Sequence, residues 1–402
     1  MTSIRKQKNL INPCWIFVRY SICSLIFIHI LSISGCSDEL EPEIVAVDGK
    51  AIREEFGDRI DIHNLPNYAN QPVPDYIKGD NGKDNPITDE GATLGRVLFY
   101  DKKLSIDNTL ACASCHQQAL AFSDSAVVSR GVQGGVTERH SMRLINARFN
   151  YEKKFFWDER AETLEDQTTM PMKDHAELGF SGQQGRPDFQ DLLNKLQAVD
   201  YYNELFTLVY GDSLITEDRL QRALAQFVRS IQSFDSKYDE GYKQDFANFT
   251  ESEKRGMELF TVLPQVPGGY RNGGGLGCFH CHRPPAFDIK PDAGNNGVIG
   301  VANKPGEIDI TNTKAPTLRD IANPNGQLNG PLMHDGSVKT FSELMLAVGQ
   351  QPFNPNRDPI MGEGSFNLHI SEQEAEDLVA FLKTLSGKNV YTDERWSNPF
   401  RE

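Results

Sequence analysis

The 402-residue sequence has little cysteine to spare, a deficit of basic residues and little in the way of long apolar runs. Of its seven cysteines, Cys14, Cys23 and Cys36 fall in the first 36 residues, and the other four form two Cys-x-x-Cys pairs. If the leading segment is removed and Cys36 is modified, no thiol is left for a disulfide or for a cysteine nucleophile. Lys and Arg number 41 against 56 Asp and Glu, a formal charge of −15, which argues against nucleic acid as a partner. The uncharged stretch from Tyr20 to Gly35 is 16 residues, short of the about 20 that a membrane-spanning helix needs. Convincing strand alternation is missing too, so the expected class is mainly α. An apolar content of 39% still supports real cores, and the length suits two ordinary domains.

What is present begins with an address. Arg5, Lys6, Lys8 and Arg19 precede the apolar run Ser21 to Leu31, which closes on Ile33-Ser34-Gly35-Cys36. This resembles the lipobox of bacterial lipoproteins, where the cysteine, here Cys36, is acylated and becomes the new N-terminus. Residues 1–36 are therefore expected to be a signal, and the remainder to work in the periplasm on a lipid anchor, the outer membrane being the expected one. Removing residues 1–35 takes away those four basic residues and no acidic one, leaving 37 Lys and Arg against 56 Asp and Glu, a charge of −19. Such a surface attracts a basic partner where its charge is clustered.

The chain is organised around Cys112-Ala113-Ser114-Cys115-His116 and its second copy, Cys278-Phe279-His280-Cys281-His282. Two thiols separated by two residues each add to a vinyl group of one haem, and the histidine that follows is the axial iron ligand. A zinc ribbon would bring its pairs within about 15 to 20 residues of each other and would not need the histidines. Two covalent haem c groups are the expected cofactors, one in each of two cytochrome-c-like domains.

The domain plan follows from composition and helix signals. Residues 37–88 read as a tether and irregular wrap, 89–240 as the first haem domain, 241–390 as the second and 391–402 as a tail. Thr88 caps a helix with Leu94, Val97 and Leu98 on one face, and Thr250-Glu251-Ser252-Glu253 is a capping box for a helix bearing Met257 and Phe260. The two share Gly-x-x-Leu-Phe, at Gly95–Phe99 and Gly256–Phe260. Thr216 opens a helix whose stripe runs through Leu220, Leu224, Phe227, Val228, Ile231 and Phe234, followed by a linker over 235–248. Capping boxes at Thr340–Glu343 and Ser371–Glu374 open two more, the last carrying Leu378, Val379, Phe381 and Leu382 and stopping at Gly387.

Over about residues 85–390 the chain resembles the bacterial di-haem cytochrome c peroxidases and their relative, the methylamine dehydrogenase maturation enzyme. The motifs are Ser129-Arg130-Gly131-Val132, Leu144-Ile145-Asn146, Phe156-Trp157-Asp158, Glu165-Asp166-Gln167, Glu177-Leu178-Gly179, Pro316-Thr317-Leu318-Arg319 and Met333-His334-Asp335-Gly336. The resemblance implies reduction of hydrogen peroxide to water at the His116 haem, with electrons from a small c-type cytochrome or copper protein entering at the His282 haem. It assigns Glu177 to proton transfer, Gln167 to holding the peroxide, and Trp157 to an electron relay between the haems. Many relatives close the first haem with a second histidine about sixteen residues after the motif. Val132 stands there and cannot ligate, so an open iron position is expected, with His140 as the rival ligand. His140 also replaces the asparagine that helps hold a calcium ion between the haems in relatives, which makes that calcium site altered or absent. For the sixth ligand of the His282 haem, the family position falls near Val348. The candidates are Met361, then Met345, then Met333. Family members are often dimers, so a homodimer is expected. Two rival functions are an oxidase of the maturation type acting on a protein substrate, and a non-catalytic di-haem electron carrier.

Overall fold

In the computed structural model the chain separates into residues 1–43 and residues 44–402. The structure describes residues 47–267, 270–291, 293–351 and 366–401. Cys36 and Met361 lie outside the described residues.

Most of the helices begin where short polar side chains accept from the free N–H groups of a first turn, those that start at Lys50, Cys112 and Asp200 being the exceptions. In chain order they are α1 (Lys50–Phe56), α2 (Asp89–Tyr100), α3 (Cys112–Cys115), α4 (Leu164–Lys173), α5 (Phe189–Gln197), α6 (Asp200–Tyr210), α7 (Glu217–Ser230), α8 (Lys237–Tyr242), α9 (Glu251–Thr261), α10 (Phe341–Gly349) and α11 (Glu372–Lys383). Thr88 accepts from Gly91 N–H at 2.9 Å, and the boxes at Thr250, Thr340 and Ser371 close in both directions. Apart from isolated single-residue bridges, the strands among the described residues are three antiparallel pairs two residues long. These are β1 (Pro264–Gln265) with β2 (Gly273–Gly274), β3 (His282–Arg283) with β4 (Asp288–Ile289), and β5 (Gln350–Gln351) with β6 (Phe366–Asn367).

Two helix pairs repeat one packing solution. α2 lies against α7 and α9 against α11, and the shared Gly-x-x-Leu-Phe element explains how. A Cβ on Gly95 would sit 2.0 Å from the carbonyl oxygen of Ala223, and one on Gly256 would sit 1.9 Å from that of Asp377. Four residues on, Phe99 meets Phe227 at 5.1 Å and 54°, while Phe260 meets Phe381 at 5.3 Å and 54°. The glycines let the backbones touch and the phenylalanines fill the space below. Alanine is the better helix former by about 1 kcal/mol, yet Gly95→Ala is expected to destabilise by about 1–3 kcal/mol, because overpacking against a carbonyl outweighs propensity. Denaturant unfolding followed by circular dichroism checks this; a variant as stable as the parent would refute the close approach.

Each pair anchors its own apolar core, the first containing Leu94, Phe99, Leu224 and Phe227, the second Phe260, Phe287, Leu378 and Phe381. Residues 391–400, read in the sequence as a tail, return to the first core. Trp396 is buried there, Tyr68 and Tyr100 donate to the carbonyls of Arg395 and Trp396 at 2.6 Å each, and Arg96 Nε donates to Ser397 O at 2.7 Å.

Two expectations need correction. The stripe from Thr216 does not continue as helix through Phe234: α7 ends at Ser230, and Ile231 turns extended. Ile231 is still fully buried, because apolar burial outlasts the helix that suggested it. The segment 235–248 is not a bare linker. It holds α8, capped by Ser236, whose Asp239 is buried and binds the guanidinium of Arg319 at 2.8 and 2.9 Å.

Candidate active site

The one-turn helix α3 places Cys112 and Cys115 on one side of a bend, and His116 follows with its N–H on the carbonyl of Cys112 at 2.9 Å. The chain then doubles back, pairing Gln117 with Ser123, which sets the carbonyl of Phe122 3.2 Å from His116 Nδ1. A carbonyl only accepts, so Nδ1 carries the proton and Nε2 keeps its lone pair, the tautomer of a metal-ligating histidine oriented from behind. Cys112, Cys115 and His116 line a cavity of about 360 Å³. Burial pushes the thiols up to about 12 and about 11, keeping them uncharged.

The second motif opens on cavities of about 190 and 170 Å³, both touching Cys278 and His282. Burial drives His282 down to about 4, so its imidazole is neutral, and its buried Nδ1 meets no partner. A neutral imidazole with an unsatisfied nitrogen, beside the thiols of Cys278 and Cys281 in an apolar hollow, fits a covalent haem and its iron. Among the described residues no group of three or more His, Cys, Asp or Glu side chains could hold a metal ion unaided.

Gln167 and Glu177 both face the first cavity. Gln167 rides on α4. Glu177 follows a tight turn in which the Asp174 carboxylate accepts from the N–H groups of Ala176 and Glu177 at 2.7 and 2.9 Å. Val132 braces it from the other side, donating its N–H to the Glu177 carbonyl at 3.0 Å. Burial, helped by the negative charge of Asp174, raises the Glu177 carboxyl to about 7, with Arg160 opposing. A carboxyl that titrates there can both take and return a proton. Arg160, which the sequence did not single out, lines the same cavity, stacks 3.6 Å from the Phe156 ring centre and pairs with Asp158 at 2.9 Å. Its only sequence signal is its place three residues after Trp157.

Trp157 is buried and borders all three cavities. Its indole N–H donates to the carbonyl of His140 at 2.7 Å, its own carbonyl accepts from Thr313 and Lys314 at 3.0 Å each, and the His334 ring meets it edge-on at 6.2 Å.

Comparisons with known proteins give the family. The family described as di-haem cytochrome c peroxidase matches residues 89–247. The methylamine utilization protein MauG of Methylorubrum extorquens is 30% identical over 315 residues, 76% of this chain and 81% of that protein. The chain belongs to the di-haem cytochrome c peroxidase family. The cytochrome c551 peroxidase of Nitrosomonas europaea is 28% identical over 313 residues, 75% of this chain and 81% of that protein. The crystal structure of a MauG-like protein associated with microbial copper homeostasis superposes with a TM-score of 0.66 at 29% identity, covering 83% of this chain and 99% of that one. The fold is accordingly mainly α with two cytochrome-c-like domains, and family membership implies two haem c groups.

Against that family pattern, the remaining ligand candidates fall as follows. Val132 is buried and is not part of the first cavity's wall. His140 is buried with both ring nitrogens engaged, Nδ1 by the Ala126 carbonyl at 2.9 Å and Nε2 by Ser123 Oγ at 3.4 Å. Val348 lines both hollows at His282, as does Met333, whose sulfur accepts from Asn296 at 3.4 Å. Met345 lines one of them.

Proposed function

We propose that this chain is a cytochrome c peroxidase, reducing hydrogen peroxide to two waters with two electrons from a small c-type cytochrome or copper protein. The observation that carries the reading is Glu177, a carboxyl raised to about 7 in the wall shared with Cys112, Cys115 and His116. The haem held by these three supplies the iron that binds peroxide and exchanges electrons. The protein's own part is protonic. Glu177 as carboxylate takes the proton from one peroxide oxygen and returns it to the other, so that the departing oxygen leaves as water rather than hydroxide. Gln167 holds the peroxide in line by its amide, and Arg160 keeps the carboxyl from rising too far to ionise. Cys278, Cys281 and His282 would hold the haem that takes up electrons, with Met361, or Met345 as the alternative, as the further side chain toward its iron, and Trp157 would relay electrons between the two sites.

We further read Cys36 as a lipid anchor to the outer membrane, with the enzyme facing the periplasm as a homodimer. The calcium site of relatives is altered here by His140, whose ring is committed to Ala126 and Ser123.

Titrating the fully oxidised protein with peroxide and following the Soret band tests the open position. Reaction without prior reduction is expected, since Val132 offers no ligand. A protein inert until one haem is reduced would overturn it. The relatives named MauG favour a second reading, an oxidase acting on a protein substrate. That reading predicts weak steady-state turnover with peroxide and reduced cytochrome, where the peroxidase predicts rapid turnover. A non-catalytic carrier predicts none.

A further inference from the structure

The wall between the two sets of cavities contains a buried positive charge that nothing among the described residues balances at contact distance. Arg143 is 7% exposed. Its guanidinium makes one hydrogen bond, from Nη2 to the carbonyl of Asn329 at 3.2 Å, and its buried Nε–H meets no acceptor. Arginine does not give up its proton in proteins, and buried charges are tolerated when they are paired and hydrogen-bonded. Among the described residues no carboxylate comes within the 4.0 Å of an ion pair with it. Asp320 acts on it only from beyond ion-pair distance; its Oδ1 accepts from Gly387 N–H at 2.8 Å and the Tyr391 hydroxyl at 3.0 Å, and its buried Oδ2 meets no partner, so it does not reach the guanidinium.

The other buried cations of this region are provided for. Arg319 has both oxygens of Asp239. Lys314 donates to the Glu152 carbonyl at 2.9 Å and has the Asp288 carboxyl acting on it. Of these three, Arg143 is the one that faces the cavities with a buried N–H that meets no acceptor and with no ion pair. It lines the first beside Cys112 and His116, and one of the second pair beside Cys278 and His282.

Each haem c brings two propionate carboxylates into this space. We propose that Arg143 is the counter-charge of a haem propionate, engaged through its unsatisfied N–H groups, which match a carboxylate in a planar fork. This rests on the reading that the cavities hold haem. A fixed cation at the edge of the ring stabilises ferrous over ferric iron and so holds that haem's midpoint potential up.

The experiment uses holoprotein and the variants R143M and R143K. Haem content is read from the pyridine haemochrome spectrum, and each haem's midpoint from spectroelectrochemical titration across neutral pH. R143M is expected to lower one midpoint, by roughly a tenfold change in the ferrous-to-ferric ratio at fixed potential, about 59 mV for one electron. That midpoint should also become pH-dependent, because an unpaired propionate takes up a proton more readily. R143K, keeping charge without the fork, should fall between parent and R143M. The haem that moves identifies whose propionate is bound. If R143M does not fold, R143K decides alone: a midpoint equal to the parent's overturns the assignment. So does R143M with two haems and unshifted midpoints, including the case where only its unfolding temperature falls. Parent protein that binds no haem would overturn the reading of the cavities and the assignment with it.

Discussion

Glu177→Gln is expected to slow the reaction of the oxidised protein with peroxide by about 10²–10⁴-fold, the usual range for a positioned acid–base group, while both haems stay bound. Burial raises the Glu177 carboxyl to about 7, with Asp174 adding to it and Arg160 opposing. The proton must first be accepted, so the carboxylate is the active form. The parent's rate should therefore fall as pH drops through about 7 and level off above it, and the variant should lose that dependence. Gln preserves the volume and the half-buried amide-like shape, which separates loss of the proton carrier from loss of packing. Stopped-flow mixing across a pH series measures both. An unchanged rate and an unchanged profile would leave a carrier of electrons as the better account.

The second large effect concerns stability. Asp239→Ala should cost about 3–5 kcal/mol, because it strands the guanidinium of Arg319 in the interior. Arg319 is completely buried, and the Asp239 carboxylate binds both its terminal nitrogens, at 2.8 and 2.9 Å, while also accepting from Tyr76 Oη at 2.5 Å and Ser236 Oγ at 2.6 Å. A double replacement, Asp239→Leu with Arg319→Met, should recover most of the loss, since an apolar pair of similar volume is often neutral where half an ion pair is not. Guanidinium unfolding curves of the three proteins distinguish these outcomes. A single variant within about 1 kcal/mol of the parent would mean that water or another acid serves Arg319.

Much of this was readable in the chain because the signals are local. A Cys-x-x-Cys-His is legible in five consecutive residues, although the first copy folds as α3 and the second as a 3-10 turn over Cys278–His280 that leads His282 into β3. Capping boxes at Thr250, Thr340 and Ser371 need only four consecutive residues, and all three close. Gly-x-x-Leu-Phe was visible as a repeat, although its meaning was not: only the partners Ala223 and Asp377 on other helices say why glycine is there. The helices α5 and α6 went unread between stronger signals. In α8 the polar segment looked like a linker because Asp239 is ordinary until Arg319, 80 residues on, removes it from water.

The sequence by itself determined the cofactor class, the starts of α2, α7, α9, α10 and α11 and the kinship of two related modules, since each depends on side chains within a few residues of one another. Tertiary structure alone decided that Glu177 is shielded enough to titrate near neutrality, that Trp157 borders the cavities at both motifs, and that Arg143 stands buried without an ion pair among the described residues. Each of these is a matter of how much water and which charges surround a group. Those surroundings are assembled from segments tens to hundreds of residues apart, which no local pattern can encode.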